Sequence, residues 1–235
     1  MAIGGDTLAR CCAYNRNYTA YRQASAASVT LRPVAAPTRD SGGDLGLFRE
    51  PPWNAPLNVD RELECIPPTA QIRGMFIMPV AAEAKRAHAV TKCLRDRYVP
   101  FQFYPLREHA RLLVDTCAAM FPKLPLRQAL RKLGRGAPTA FLASRLGRVV
   151  MQSGEGLMEV VNGLAKGYEL SLSPGRATVS ETTGRSVDVT LEDVYYFLDS
   201  HHVGAFEGAL KVSGIKGRVQ VHRISAAQGV LRLSW

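Results

Sequence analysis

The side chains best suited to proton transfer or metal binding are His109, beside Glu108, and the adjacent pair His201-His202. Consecutive residues on a helix point about 100° apart, so the pair does not chelate one ion from one face. No cysteine or carboxylate recurs at ligand spacing around it, and no metal site is expected. His109 or His202 would be the base if this were an enzyme, but nothing marks a nucleophile beside either. The competing reading makes them packed, capping or surface histidines. Gly-x-Ser-x-Gly, Gly-x-x-x-x-Gly-Lys and His-Glu-x-x-His are all absent. Gly134-Arg-Gly136 and Gly154-Glu-Gly156 lack the preceding strand that a nucleotide-binding loop requires. No catalytic residue is therefore assigned, and no cofactor is expected.

Arginines form the second group. Arg127, Arg131 and Arg135 recur at i, i+4, i+8 opposite a Leu126/Leu130/Leu133 stripe, and Arg145 and Arg148 lie about one turn apart further on. Such a face tracks phosphates of nucleic acid, docks an acidic protein or head group, or is simply solvated. Few aromatics are interleaved and no DNA-reading motif is present, which weighs against nucleic acid. The chain carries 30 basic and 20 acidic residues, a net charge of +10. Residues 106–150 hold nine basic against two acidic residues, whereas residues 151–235 hold eight against nine, so most of the excess is local.

The elements that must position these groups follow from periodicity. Residues 1–60 show neither helical nor strand period, are rich in Ala, Ser, Gly, Pro and Arg, and read as a flexible extension. A single domain is expected over residues 61–235. Pro67-Pro68 suit a helix start, and Ile72, Met75, Phe76 and Val80 recur at helical spacing, with Pro79 bending or stopping that helix. A further helical stretch is expected through Val90, Cys93 and Leu94, and Tyr98–Pro105 reads as a packed connector. Helices follow at Leu106–Met120, at Leu126–Leu133, through Phe141–Val150 and at Leu157–Leu164.

After Ser173-Pro-Gly the pattern alternates. Ala177 and Val179, then Val187, Val189 and Leu191, mark a hairpin with a turn at Thr183-Gly184. Val219/Val221 and Leu231/Leu233/Trp235 mark two more strands. The expected class is α+β: a helical N-terminal half, then a C-terminal β-β-α-β-β antiparallel sheet covered by helices.

The helix inside that sheet unit, Phe197 to Gly214, is the most legible element. Asp199 or Ser200 is the expected N-cap, Val203, Phe206 and Leu210 its apolar stripe, Glu207 and Lys211 an i,i+4 ion pair, and Gly214 its left-handed C-cap. Gly204 and Gly208 each cost about 1 kcal/mol relative to Ala in a helix interior. Spaced by four, they bare one side, so either another backbone packs closely there or a flat ligand does. Gly204, Phe206 and Gly208 are therefore the candidate ligand or close-packing helix.

Hydrophobic residues make up 46% of the chain, enough for a core, which excludes a wholly disordered protein. No stretch approaches the roughly 20 apolar residues of a membrane span. Cys11, Cys12, Cys65, Cys93 and Cys117 are odd in number and form no C-x-x-C pair, so neither a disulfide framework nor a zinc site is indicated. With no basic-then-apolar leader pattern, a cytoplasmic location is expected.

Several motifs carry a resemblance: Thr69-Ala-Gln-Ile-Arg-Gly-Met-Phe76, Tyr98-Val-Pro-Phe101, Tyr104-Pro-Leu-Arg-Glu108, Leu124–Gly134, Phe197-Leu-Asp-Ser200, Val203–Leu210 and Leu233-Ser-Trp235. With these, the span from Pro67 to Trp235 resembles a Myxococcales-restricted, heavily paralogous family, a domain of unknown function. That resemblance implies a shared fold and no activity. More distantly, helices leading into β-β-α-β-β are similar to vinyl-reductase-type, trafficking-particle and haem nitric-oxide-binding domains, which implies binding of small molecules, acyl chains or protein partners. The haem members' Tyr-x-Ser-x-Arg signature is not met, since Tyr168-Glu-Leu-Ser171 and Ser173-Pro-Gly-Arg176 have other spacings. The resulting expectation is a non-catalytic regulatory domain that binds a small molecule or an acidic protein partner, as a homodimer or partner-bound. The alternatives are an enzyme with a helix–sheet pocket and a polyanion binder acting through residues 106–150.

Overall fold

The computed structural model describes residues 47–144, 147–148 and 156–235. The helical half contains α1 (Val59–Glu64), α2 (Gly74–Arg86), α3 (Leu106–Met120), α4 (Leu126–Gly134), α5 (Ala137–Ala143) and α6 (Leu157–Ser171). Three short strands, β1 (Gln71–Arg73), β2 (Phe103–Pro105) and β3 (Leu172–Ser173), form an antiparallel sheet in the order β2-β1-β3. The C-terminal part contains β4 (Arg176–Thr183), β5 (Ser186–Glu192), a five-residue π-helical turn (Leu198–His202), α7 (Val203–Val212), β6 (Arg218–Arg223) and β7 (Gly229–Ser234). These four strands pair antiparallel in the order β4-β5-β7-β6. The α+β class and the β-β-α-β-β order are as expected.

The four-stranded sheet buries one face. Val187, Val189 and Leu191 of β5 pair with Leu233, Leu231 and Gly229 of β7, and the side chains of all five apolar residues are inaccessible to solvent. That alternation fixes the register, because a one-residue slip would turn the whole set outward. Helices α6 and α7 cover this face. In α3, Leu106, Ala110, Leu113 and Cys117 step by three and four and are fully buried. At the end of α7, Gly214 adopts φ +68, the left-handed C-cap expected of it.

The sequence reading departs from the structure in several places. Ile72 belongs to β1, not to the following helix; three residues are too few for strand alternation to show against a helical spacing. Pro79 does not end α2, which continues to Arg86 with Pro79 on its exposed side. No helix forms through Val90–Leu94, where Val90 is 98% exposed. Part of the Tyr98–Pro105 connector is strand β2, paired with β1 through Tyr104↔Ile72. The folded body also takes in residues before 61. Phe48 is buried under the guanidinium of Arg232, at 3.8 Å, Arg49 bridges to Val221, and Asn58 caps α1. Residues 1–46, and much of the helix expected through Phe141–Val150, lie outside the described residues.

Candidate functional site

Two neighbouring regions answer the two questions raised by the sequence. The first is the contact between α4 and α7. A Cβ on Gly204 would stand 2.1 Å from the Arg131 carbonyl oxygen, and one on Gly208 would stand 2.5 Å from the Arg135 carbonyl oxygen. Reciprocally, a Cβ on Gly134 would stand 2.1 Å from the His201 carbonyl oxygen. The bare side of α7 therefore lies against the α4 backbone.

The same seam absorbs three of the five arginines. Glu207 takes the fork of Arg131, with Nε donating at 2.8 Å and Nη2 to the other oxygen, and also accepts from Arg135 Nε at 2.8 Å. Bidentate charged pairs of this kind are the strong ones. The expected Glu207–Lys211 pair is replaced by this arrangement, because α4 brings two guanidinium groups to the carboxylate. Arg127 lies 2.5 Å from Asp199, which also faces Arg223 at 3.6 Å, and Arg223 pairs with Glu62 at 2.9 Å. Asp199 is thus a buried ion-pair partner inside the π turn, and neither it nor Ser200 acts as the N-cap. Arg131 further stacks over Trp53, with its guanidinium carbon 3.8 Å from the ring centroid. Each arginine of the α4 row thus has an acidic partner in the same chain, with Arg131 and Arg135 sharing the one carboxylate of Glu207. Arg148 is exposed, and Arg145 lies outside the described residues.

The second region is a cavity of about 440 Å³ between α2, α3, α4, α5, α6 and the π turn. Met75, Phe76, Leu133, Phe141 and Leu164 supply carbon walls. Phe76 and Phe141 lie nearly parallel, with centroids 6.1 Å apart. Its inner end is polar: His109 from α3, His201 and His202 from the π turn, Tyr168 from α6, and Tyr196. Tyr196 is the hub, with ring centroids 5.7 Å from His109, 6.1 Å from His201 and 4.6 Å from His202. The Tyr168 hydroxyl and His202 Nδ1 share a hydrogen bond of 2.5 Å. Phe206, fully buried, stacks on Tyr168 with a 7° interplanar angle, so it backs the cavity wall.

Burial sets the protonation of this cluster. Loss of water, and then the neighbouring His201, hold His109 down at about 3. Burial lowers His201 to about 4, partly offset by a hydrogen bond to the Leu130 backbone. His202 is pushed well below its ordinary value, again chiefly by burial. Burial raises both phenols, Tyr168 and Tyr196. All five groups are neutral at physiological pH. Nδ1 of His109, Nδ1 of His201 and Nε2 of His202 are buried without a hydrogen-bond partner, a state that costs free energy unless something satisfies it.

A family model for proteins of unknown function (DUF2378) matches residues 66–235. The chain belongs to this family. No curated protein matches it. Solved H-NOX domains share the fold of this DUF2378 domain. A point variant of Tt H-NOX is 13% identical, with 69% of this chain and 94% of that one covered at a TM-score of 0.55. An oxygen-binding H-NOX domain related to soluble guanylate cyclases is 14% identical over 68% and 91%, at 0.52. The Fe(II) unliganded H-NOX protein from K. algicida is 10% identical over 69% and 96%, at 0.51. The similarity to haem nitric-oxide-binding domains expected from the element order therefore holds at the level of fold.

His109 and His202, the two candidate bases, do meet at one cavity. His201, singled out in the sequence only as the neighbour of His202, joins them together with Tyr168 and Tyr196, which were not foreseen. Their signals were single residues scattered over almost 100 positions, with no periodic spacing to link them. Among the described residues no group of three His, Cys, Asp or Glu side chains is placed to hold a metal ion, and no helix is long and apolar enough to cross a membrane.

Proposed function

We propose that this DUF2378 domain is a non-catalytic sensing module that binds a small organic molecule in the helical cavity. The observation that carries the reading is the cavity itself: an apolar chamber of about 440 Å³ whose inner end displays buried, neutral and unpartnered imidazole nitrogens. Ligand sites combine a mostly apolar concave wall with a few convergent polar groups in this way. A general base works best with a pKa near the operating pH. His109 at about 3, and His202 held well below its usual value by burial, favour hydrogen bonding over proton abstraction. The ion pairs of Arg127, Arg131 and Arg135 likewise weigh against polyanion binding through α4.

Structures within the H-NOX group concern haem distortion and oxygen binding, so haem must be tested against the residues present. An axial imidazole has its second nitrogen hydrogen-bonded. Of the three cavity histidines, His202 has Nδ1 held by Tyr168, and His201 is hydrogen-bonded to the Leu130 backbone. The His202 ring packs edge-to-face against Tyr196 at 4.6 Å and against His201 at 5.3 Å, and His201 lies tilted on Tyr196 at 6.1 Å. The Tyr-x-Ser-x-Arg signature of the haem members is missing, so the reading is of a metal-free organic ligand.

A titration with the neutral dye Nile red tests this. Saturable 1:1 fluorescence enhancement is expected for the wild type and its loss for Ala140→Trp, which fills the cavity from α5. Absence of saturable binding to the wild type overturns the reading, as does equal binding by the two proteins.

A further inference from the structure

We propose that the ligand of this cavity is an amphipathic anion: an apolar body with one carboxylate, seated with the acid group at the rim between Arg86 and Lys132. This rests on the cavity being the binding site. The lining sorts by depth. His109, His201 and His202 are buried at the inner end, where no cation is available to an acid group. A carboxylate placed there would be a buried, unpaired charge, which is prohibitive. The middle of the chamber is carbon, from Met75, Phe76 and Phe141 among others.

At the solvent end the lining changes to Arg86, whose side chain is 73% exposed, and exposed Lys132. The rim holds one carboxylate, Glu83, which is bonded to Arg86. Lys132 has no such partner among the described residues. Its ammonium lies 4.6 Å from the centroid of the Phe121 ring, which also lines the cavity, an attraction that leaves the ammonium N–H donors without an acceptor on a carboxylate. The rim therefore carries two positive groups against one negative. A cationic head would meet only an already paired Glu83, whereas an anionic head meets Lys132 directly and shares Arg86. A ligand with carbon in the chamber and acid at the rim satisfies all three layers.

Competition against bound Nile red, using decanoate and decanol as a matched pair, tests the proposal. In the wild type, decanoate should displace the dye at a concentration at least about tenfold below decanol, the margin expected of one charge-assisted contact. In the Arg86→Ala/Lys132→Met double variant that margin should vanish while decanol is unaffected. Equal potency of the two probes on the wild type overturns the proposal and leaves the cavity reading intact, as does a margin that survives in the double variant. Failure of Nile red itself to bind the wild type removes both.

Discussion

The α4/α7 seam and the cavity are neighbours built from overlapping elements, yet they treat polar groups in opposite ways. In the seam the charged groups meet opposite charges, Arg131 and Arg135 hydrogen-bonded to Glu207 and Arg127 2.5 Å from Asp199, and glycines close the backbones to contact. In the cavity three imidazoles are buried with orphaned nitrogens beside empty volume. Opposite charges paired within the chain hold the fold together, whereas neutral unpartnered groups lining a cavity are where we propose that a ligand binds. The π turn joins the two, since Asp199 faces the seam while His201 and His202 face the cavity.

The largest expected effect breaks the cavity side by acid. His109 and His201 fold with values near 3 and 4 against an ordinary 6.5. Between those limits the unfolded chain binds protons that the folded chain refuses. Their contribution is complete above pH 6.5 and is lost as pH falls toward 4 and then 3. From pH 6.5 to 4.5 the pair should remove about 4 kcal/mol of stability. Urea unfolding across that range measures it, and His109→Leu should flatten the slope. A pH-independent midpoint would contradict the assignment.

Next comes the seam. Gly204→Val drives a side chain into the Arg131 carbonyl and should cost about 3 kcal/mol or more, whereas Gly184→Ala, with nothing within 4 Å, should stay within about 0.5 kcal/mol. Equal thermal midpoints for the two variants would show that the close contact is not tight. Smaller again, Glu207→Gln strips two guanidinium groups of their carboxylate and should cost about 2 kcal/mol. Lys211→Ala, outside the network, should change less than about 0.5 kcal/mol. Chemical denaturation of both separates the observed pairing from a simple i,i+4 pair.

How much of this was legible depended on range. The β4–β5 hairpin, the β6–β7 strands, α3, α4 and the Gly214 cap were readable because their signals are local periods and turn residues. The glycine pair Gly204/Gly208 announced a close approach, but nothing local said that α4 was the partner. Asp199 and Glu207 were misassigned for the same reason: a cap or an i,i+4 pair is the best local use of an acid, until arginines 70 residues away arrive with a better one. The basic stripe was read as a surface because its counter-charges lie in another segment. The cavity was invisible, since a void is a property of several packed elements and belongs to no stretch of sequence.

The most direct test of the central claim is native mass spectrometry of the full-length wild type and of Ala140→Trp, purified side by side. Filling an apolar void costs little when the new ring fits, so the variant should remain folded within about 1 kcal/mol. The account predicts an additional mass of small-molecule size on the wild type, released on denaturation and missing from the variant. A bare wild type, or the same adduct on both proteins, would contradict it.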